Sequence, residues 1–367
     1  MIRARGLSPK GMHNGVIECA LISIPPIDHT GAKQRGAEVS RESTIHVRAH
    51  ARLHLGFLDL NGSLGRQFGS IGLSVDGVCL ELLAAPAPGF TISGPGAARA
   101  EAVARAVFEF AGHSGGVDLE ILRAIPEHAG LGSGTQLALA VGSACARLAG
   151  VSLSVDELAN LLLRGQRSGI GIGTYSQGGF VVDAGRGPAT RTPPVISRLP
   201  VPDPWRFVLV MDHSRQGAHG DQESEAFSRL TMMPDSRCAH LCRITLMRLL
   251  PALAEADCPA FGAAVNEVQS ITGEHFSQWQ AGRYSSPDVA AVLAFMAESG
   301  ATGCGQSSWG PTGFAIFPDA AAAVSAMEMA RKRWDDNPQL DFVSCRAANH
   351  PAVICSGMTA ARQHARG

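Results

Sequence analysis

The chain has 367 residues, of which 45% are hydrophobic and 17% charged, and its formal net charge is -1. This length and hydrophobic content allow two domains with a substantial core and exclude a disordered chain. The small net charge argues against general nucleic-acid binding, and no apolar run is long enough to span a membrane. Nine cysteines without a C-x-x-C pair indicate a reducing compartment, which points to the cytoplasm.

Order is predicted to begin at Ile45. Residues 1–43 show no sustained period and are interpreted as a mobile extension, with a short strand over 16–24 left open. From Ile45 to Phe57, apolar and polar residues alternate strictly, which predicts a half-buried strand. His46 and His50 are expected on its solvated face. Histidines four residues apart on a strand lie roughly 13 Å apart, so they cannot share one metal ion.

Residues that end or cap helices and strands predict the next secondary-structure elements. A turn is expected at 69–72, a strand over 75–83, a helix over 97–111 and a strand over 117–125. The run from Thr135 to Leu148 has almost no breaker and reads as a buried helix. A capping box at Ser154 predicts a helix that reaches Arg167, and a strand is expected over 180–183.

The strand over 117–125 leads into a glycine-rich segment, IPEHAGLGSGTQLAL, and we call its residues 126–132 the glycine loop. Glycine permits positive φ and close backbone approach, and the following helix N-terminus offers amides and partial positive charge. We therefore predict a phosphate site, although an ordinary loop-to-helix junction would have the same pattern. The residues expected to bind phosphate are Gly130, Leu131, Gly132, Ser133, Gly134 and Thr135.

The second half begins after a proline-rich stretch. Residues 190–204 contain five prolines and are predicted to link two domains, 44–190 and 204–355. Strands are expected over 206–211, before Phe317 and over 342–346. Helices are expected over 239–255, 259–268, 286–299 and 319–334. A polar loop, HSRQGAHGDQESEAF, follows the first of these strands, where ligand-contacting loops often lie.

Three of these segments resemble the motifs of the GHMP kinase superfamily. PEHAGLGSGTQ is similar to its phosphate-loop motif, ARLHLGFLDLNG to its first motif and GCGQSSWGPTGF to its third. The resemblance implies the GHMP kinase fold, mixing α/β and α+β: a ribosomal-protein-S5-like N-terminal domain and an α+β C-terminal domain. It also implies that the substrate pocket is lined by Arg52, His54 and Asp59 from the first motif and by Ser307 from the third.

One position departs from the kinases of this superfamily. In the segment RSGIGIGTYSQGG, the spacing matches a kinase motif, but Gly171 occupies the place of the catalytic aspartate. Because glycine cannot accept a proton or orient a hydroxyl group, phosphoryl transfer assisted by that residue is excluded.

Four segments together resemble one branch of the superfamily, the β-ribofuranosylaminobenzene 5′-phosphate synthases of methanopterin biosynthesis. They are RLHLGFLDLNG, AGLGSGTQLALA, RSGIGIGTYSQGGFVVDAG and GCGQSSWGPTGFAIF. The resemblance implies condensation of phosphoribosyl pyrophosphate with 4-aminobenzoate, with release of carbon dioxide and pyrophosphate. Pyrophosphate would leave at the glycine loop. The implied catalytic residues are Asp59, Glu223 and His54.

The same reaction implies anchors for the 5′-phosphate and the benzoate carboxylate. Arg52, Arg167 and Arg215 are the candidates, because guanidinium groups bind such anions through two-pronged contacts. Magnesium is expected with a pyrophosphate substrate, and a homodimer is expected. Two alternatives remain: an ATP-dependent small-molecule kinase with a relocated base, and a non-catalytic phosphosugar-binding protein.

Overall fold

The computed structural model describes residues 44–217, 220–280 and 282–357. The extension over 1–43 and the strand left open over 16–24 lie outside these described residues. Within the described ranges, no helix is long and apolar enough to cross a membrane.

Two long strands form the centre of the first sheet. Strand β1 (Ile45–Asp59) is present as predicted and pairs antiparallel with β2 (Phe68–Ala87). The alternation of buried and half-buried residues holds from Ile45 to Ala49, and most of the residues after it are buried. The turn expected at 69–72 is wrong, because these residues belong to β2. The glycine there serves close packing: a Cβ on Gly72 would lie 2.3 Å from the carbonyl oxygen of Leu53 and 2.5 Å from Ile170.

The polar face of β1 is less solvated than expected. His46 is half-buried and bonds to Glu81 at 2.8 Å, whereas His50 is only 7% exposed. The expectation of a solvated face is therefore wrong for His50. The strand register shifts between His50 and Ala51, and the His350 ring packs edge-on against His50 with centroids 5.0 Å apart.

The other strands of the first sheet flank β2. They are β3 (Thr91–Ser93), β4 (Gly116–Arg123), β5 (Phe180–Asp183), β6 (Val195–Leu199) and β11 (Val353–Ser356). The strand order is β11-β1-β2-β4-β3, with β5 on β2 and β6 on β5. The proline-rich segment over 190–204, predicted as a linker, contains β6, and β11 returns to pair with β1.

Four helices accompany this sheet: α1 (Ala97–Phe110), α2 (Ser133–Leu148), α3 (Val155–Leu161) and α4 (Ile170–Gln177). The capping box at Ser154 is present as predicted. However, α3 ends at Leu161 and does not reach Arg167. Leu163 adopts a left-handed conformation with φ of 53°, which a continuing helix cannot contain.

The start of α4 is held by a buried carboxylate that the sequence analysis did not single out. Asp183 is 0% exposed and accepts hydrogen bonds from the backbone N–H of Gly169 at 2.9 Å and of Gly185 at 2.8 Å. The Ser70 hydroxyl group donates to the same carboxylate. Burial raises the pKa of Asp183, although these hydrogen bonds oppose the rise. Asp183 thus fixes α4 beside the sheet.

The second sheet is antiparallel with order β10-β7-β9-β8: β7 (Arg206–Asp212), β8 (Gly303–Gln306), β9 (Gly313–Phe317) and β10 (Leu340–Cys345). The α-helices described in this half are α5 (Gly220–Arg229), α6 (Asp235–Ile244), α7 (Leu250–Ala254), α8 (Cys258–Phe276), α9 (Pro287–Glu298) and α10 (Ala320–Arg333). Helices α9 and α10 pack on the core face that Val208, Val210 and Phe317 form. Helix α8 contacts both β8 and β1, so it joins the two sheets.

Candidate active site

The glycine loop connects β4 to α2 and leaves the first turn of α2 open. Gly130 and Gly132 have φ of 80° and 82°, which glycine adopts at no steric cost. Gly132 is the N-cap residue and provides no side chain to cap the helix. The first amides of α2 therefore carry the partial positive charge of the helix end, which favours an anion.

Close packing between loops is a further reason for these glycines. A Cβ on Gly130 would lie 2.1 Å from the carbonyl oxygen of Ser307 and 2.9 Å from the Cα of Gly310. A Cβ on Gly132 would lie 2.9 Å from Cγ of Arg52. Substitution of Gly132 would thus displace Arg52 as well as strain the backbone, so it cannot isolate the contribution of the loop amides.

The glycine loop is held by β1 and by the segment 307–312, which we call the serine loop. The carbonyl oxygen of Gly130 accepts hydrogen bonds from Arg52 Nη1 and, at 2.7 Å, from Ser307 Oγ. Ser307 Oγ in turn accepts a bond from the backbone N–H of His54 at 3.1 Å. Ser307 is fully buried, and its hydroxyl hydrogen is engaged by Gly130. Its predicted contact with substrate stays a prediction.

Three arginines surround the first turn of α2. Besides Arg52, Arg164 has its Nη1 atom 3.9 Å from the Cβ position of Gly134. Burial and the nearby charge of Arg99 lower the pKa of Arg164. Its Nε atom is buried and has no hydrogen-bond partner. Arg99 is paired with Glu127 of the glycine loop, so the cluster keeps an excess of positive charge.

Sequence reasoning missed Arg99 and Arg164. Neither residue lies in a recognised motif, and their positions depend on how α1 and the segment after α3 pack around α2.

The other two predicted anchors, Arg167 and Arg215, have different contacts. Arg167 lies over the Phe227 ring at 4.5 Å. Arg215 lies 3.7 Å from the Asp212 carboxylate and donates to the carbonyl oxygen of Ser285 at 3.3 Å.

The predicted carboxylates are placed as follows. Asp59 Oδ1 accepts hydrogen bonds from the backbone N–H groups of Asn61 and Gly62, each at 2.8 Å, and closes the turn after β1. This contact gives Asp59 a structural role, while its catalytic role stays a prediction. Glu223 lies in α5, and its side chain is outside the described part of the structure.

Gly171 lies where α4 packs against α2. A Cβ at this position would lie 3.0 Å from Cγ2 of Thr135, and the Gly171 carbonyl oxygen accepts a hydrogen bond from Gln136 at 2.9 Å. A side chain here would need Thr135 to shift by a few tenths of an ångström. Among the residues expected to bind phosphate, Thr135 is half-buried beside Gly171, and Leu131 is fully buried.

A small cavity lies beside the end of β1 and is lined by His54. His54 is 3% exposed, and Nε2 of its imidazole is buried without a hydrogen-bond partner. Burial, followed by the charge of Arg52, lowers the pKa of His54 to about 3, so the imidazole is neutral at physiological pH. Phe57, Phe276 and Trp309 are among the residues that line the cavity. The sequence pointed to His54 but not to these aromatic partners, which come from distant segments.

Comparison with known proteins gives matches to both halves of the chain. Residues 98–179 match the family described as "GHMP kinases N terminal domain", and residues 249–336 match "GHMP kinases C terminal". A β-ribofuranosylphenol 5′-phosphate synthase of Archaeoglobus fulgidus is 32% identical over 76% of this chain and 90% of that protein. The protein of that name from Methanothermobacter thermautotrophicus is 31% identical over the same shares.

Solved structures confirm the predicted fold. Homoserine kinase from Cytophaga hutchinsonii superposes with a TM-score of 0.61 over 89% of this chain and 100% of that chain, at 19% identity. Mevalonate diphosphate decarboxylase from Staphylococcus aureus has a TM-score of 0.60 over 86% of this chain and 98% of that chain, at 16% identity.

We expect Gly171→Asp to lower the unfolding temperature without creating ATP-dependent phosphorylation. The added side chain would overpack the α2–α4 contact, which costs about 1–3 kcal/mol at such sites. Gly89→Asp is the matched control, because a Cβ on Gly89 meets nothing within 4 Å. Thermal unfolding of both variants measures the difference. Equal midpoints for the two variants and the unmodified protein would contradict this account of the glycine.

We expect Ser307→Ala to lower the free energy of unfolding by about 1–3 kcal/mol, because the buried N–H of His54 loses its acceptor. Ser308→Ala is the control. The Ser308 side chain is partly exposed, and the bond from Ser308 to the carbonyl oxygen of His54 is donated by its backbone N–H, which the substitution keeps. Urea unfolding of both variants tests this expectation. A Ser307→Ala protein as stable as the Ser308→Ala protein would show that the hydroxyl bridge contributes nothing.

Proposed function

Since the chain belongs to the β-ribofuranosylphenol 5′-phosphate synthase family of the GHMP kinase superfamily, we propose that it joins a 5-phosphoribosyl group to a ring carbon of a para-substituted benzoate. The donor is phosphoribosyl pyrophosphate, and the other products are pyrophosphate and carbon dioxide. The observation that carries the proposal is the 32% identity to a synthase of that name over 90% of its length.

The arene is proposed as a benzoate with a hydrogen-bond donor at the para position. The sequence motifs pointed to 4-aminobenzoate, whereas the names of the relatives specify a phenol in the product. A phenolic product requires a hydroxyl group on the ring that attacks. We therefore include 4-hydroxybenzoate beside 4-aminobenzoate and place the product in the biosynthesis of methanopterin-type cofactors.

The reaction balances without a net proton transfer. The bond between ribose C1 and the pyrophosphate oxygen breaks, and its electron pair leaves with pyrophosphate. Ring electrons of the arene form the new carbon–carbon bond at the carbon that bears the carboxylate. The bond from ring to carboxylate then breaks, its electrons restore aromaticity, and carbon dioxide leaves. Because no strong base is needed for this attack, Gly171 in the place of the kinase aspartate is compatible with the chemistry.

The first turn of α2 is the proposed site of the pyrophosphate. Loss of this group concentrates negative charge on its oxygens, and preorganised donors aimed at such charge stabilise the transition state. The open amides after Gly132 and the guanidinium groups of Arg52 and Arg164 supply those donors. The positive charge of the arginine cluster also favours binding of the intact donor substrate.

We propose that magnesium binds only together with pyrophosphate. Among the described residues, no group of three or more His, Cys, Asp or Glu side chains is placed to hold a metal ion. Magnesium commonly binds through substrate phosphates and keeps several waters, so it would arrive with the donor substrate. We assign no protein ligand to it.

Two further parts of the proposal concern the state of the protein. The described cysteines are free thiols, which fits a reducing cytoplasm. A homodimer is also proposed, and light scattering on the purified protein would test it.

The activity is tested with phosphoribosyl pyrophosphate and carboxyl-labelled 4-hydroxybenzoate or 4-aminobenzoate. We expect labelled carbon dioxide and pyrophosphate in equal amounts, without any requirement for ATP. The control omits the donor substrate. Release of ADP that depends on a small-molecule acceptor would favour a kinase. Tight binding of the donor without turnover of either arene would favour a phosphosugar-binding protein.

We expect Arg164→Gln to weaken binding of pyrophosphate by about tenfold, because hydrogen bonds to charged groups contribute about 1.5–3 kcal/mol. Arg105→Gln is the control: Arg105 is exposed on α1 and pairs with Glu101. Calorimetric titration with pyrophosphate at constant ionic strength gives both affinities. If Arg164→Gln binds pyrophosphate as tightly as Arg105→Gln does, Arg164 is not an anchor.

A further inference from the structure

The cavity beside His54 is lined by aromatic and polar side chains, and among these His54 carries a buried polar atom, Nε2, without a hydrogen-bond partner. The ring centroids of His54 and Phe57 are 4.6 Å apart, and those of Phe276 and Trp309 are 4.5 Å apart. These side chains come from β1, α8 and the serine loop, so the cavity lies where the two sheets meet. Arg283 is the exposed residue of the lining, so we take its side as the mouth of the cavity.

The imidazole of His54 lines this cavity. Burial keeps the imidazole neutral, and its Nε2 atom has no hydrogen-bond partner. In the neutral tautomer with the proton on Nδ1, Nε2 carries a lone pair that can accept a hydrogen bond. A buried acceptor without a partner is costly, and the cost is removed when a ligand supplies a donor.

We propose that this cavity is the subsite for the para substituent of the arene, with His54 Nε2 accepting a hydrogen bond from its hydroxyl or amino group. The inference rests on the proposed function and adds to it the element that selects the acceptor substrate. The ring of the arene would lie towards the mouth against Trp309, with its carboxylate on the side where Arg283 is exposed.

The size of the cavity supports this orientation. Its volume is about 40 Å³. On this measure one water molecule needs about 10–15 Å³, and a benzene ring fills a cavity of about 150 Å³. The inner space therefore accommodates a hydroxyl or amino group but is too small for the ring itself.

The hydrogen bond also assists the reaction. As the para hydroxyl or amino group donates to His54, electron density moves into the ring and towards the opposite carbon, which attacks ribose C1. The substituent keeps its proton at the end of the reaction, so the balance of the reaction is unchanged. Arg52 lies two residues before His54 on β1, which places this subsite next to the pyrophosphate site.

The proposal predicts a specific order of affinities in the unmodified protein. Calorimetry in the presence of pyrophosphate would compare 4-hydroxybenzoate, 4-aminobenzoate, unsubstituted benzoate and 4-methoxybenzoate. We expect the first two to bind at least about fivefold more tightly than the last two, because only they can donate a hydrogen bond to His54. Equal affinities across the four compounds would overturn the subsite.

Substitution of His54 tests the same claim independently. His54→Phe keeps a planar ring but removes the acceptor, and we expect it to abolish the preference for donor-bearing arenes. His46→Phe is the matched control on the same strand, where the histidine pairs with Glu81, and it should keep the preference. Circular dichroism checks that each variant is folded.

Different results would contradict the subsite and the proposed function. If the unmodified protein releases labelled carbon dioxide but His54→Phe retains the preference, the subsite is wrong and the function stands. If no arene is turned over by the unmodified protein, the proposed function itself is wrong.

Discussion

The carbonyl oxygen of Gly130 is the point on which the rest of the site depends. It accepts hydrogen bonds from Arg52, which precedes it by 78 residues, and from Ser307, which follows it by 177. These two bonds hold β1 and the serine loop against the glycine loop at a single atom. Because a side chain on Gly130 would collide with the serine loop, only glycine allows the three segments to meet.

This junction relates the fold to its chemistry. It connects the glycine loop before α2 to the part of β1 that carries His54, since Ser307 also bonds to the backbone of His54. A charged leaving group and an aromatic nucleophile need opposite environments, one cationic and one apolar. The short span of β1 from Arg52 to His54 brings both environments to one place.

Much of the fold could be predicted because its signals are local. Strict alternation identified β1, the capping box at Ser154 located the start of α3, and the motifs led to the family that the comparisons confirm. The turn expected at 69–72 was wrong, because glycine can serve close packing within a strand as well as a turn. The pairing of β11 with β1 joins opposite ends of the chain and leaves no local signal.

The site was predicted less completely for the same reason. Arg52 and His54 lie in a recognisable motif, whereas Arg164 lies in the segment after α3, and no motif places it near α2. Trp309 and Phe276 line the same cavity as His54 through packing between distant segments, which no spacing in the sequence reveals. Asp59 follows the motif, but its observed contact is a turn cap.

The central claim is that the open helix end beside Arg164 holds pyrophosphate as it leaves ribose. A crystal structure of the protein with phosphoribosyl pyrophosphate, in the absence of an arene, tests it most directly. The account predicts pyrophosphate oxygens within hydrogen-bond distance of the backbone N–H groups of Ser133 and Gly134 and of the Arg164 guanidinium. Pyrophosphate bound away from α2, for example at Arg215, would contradict it.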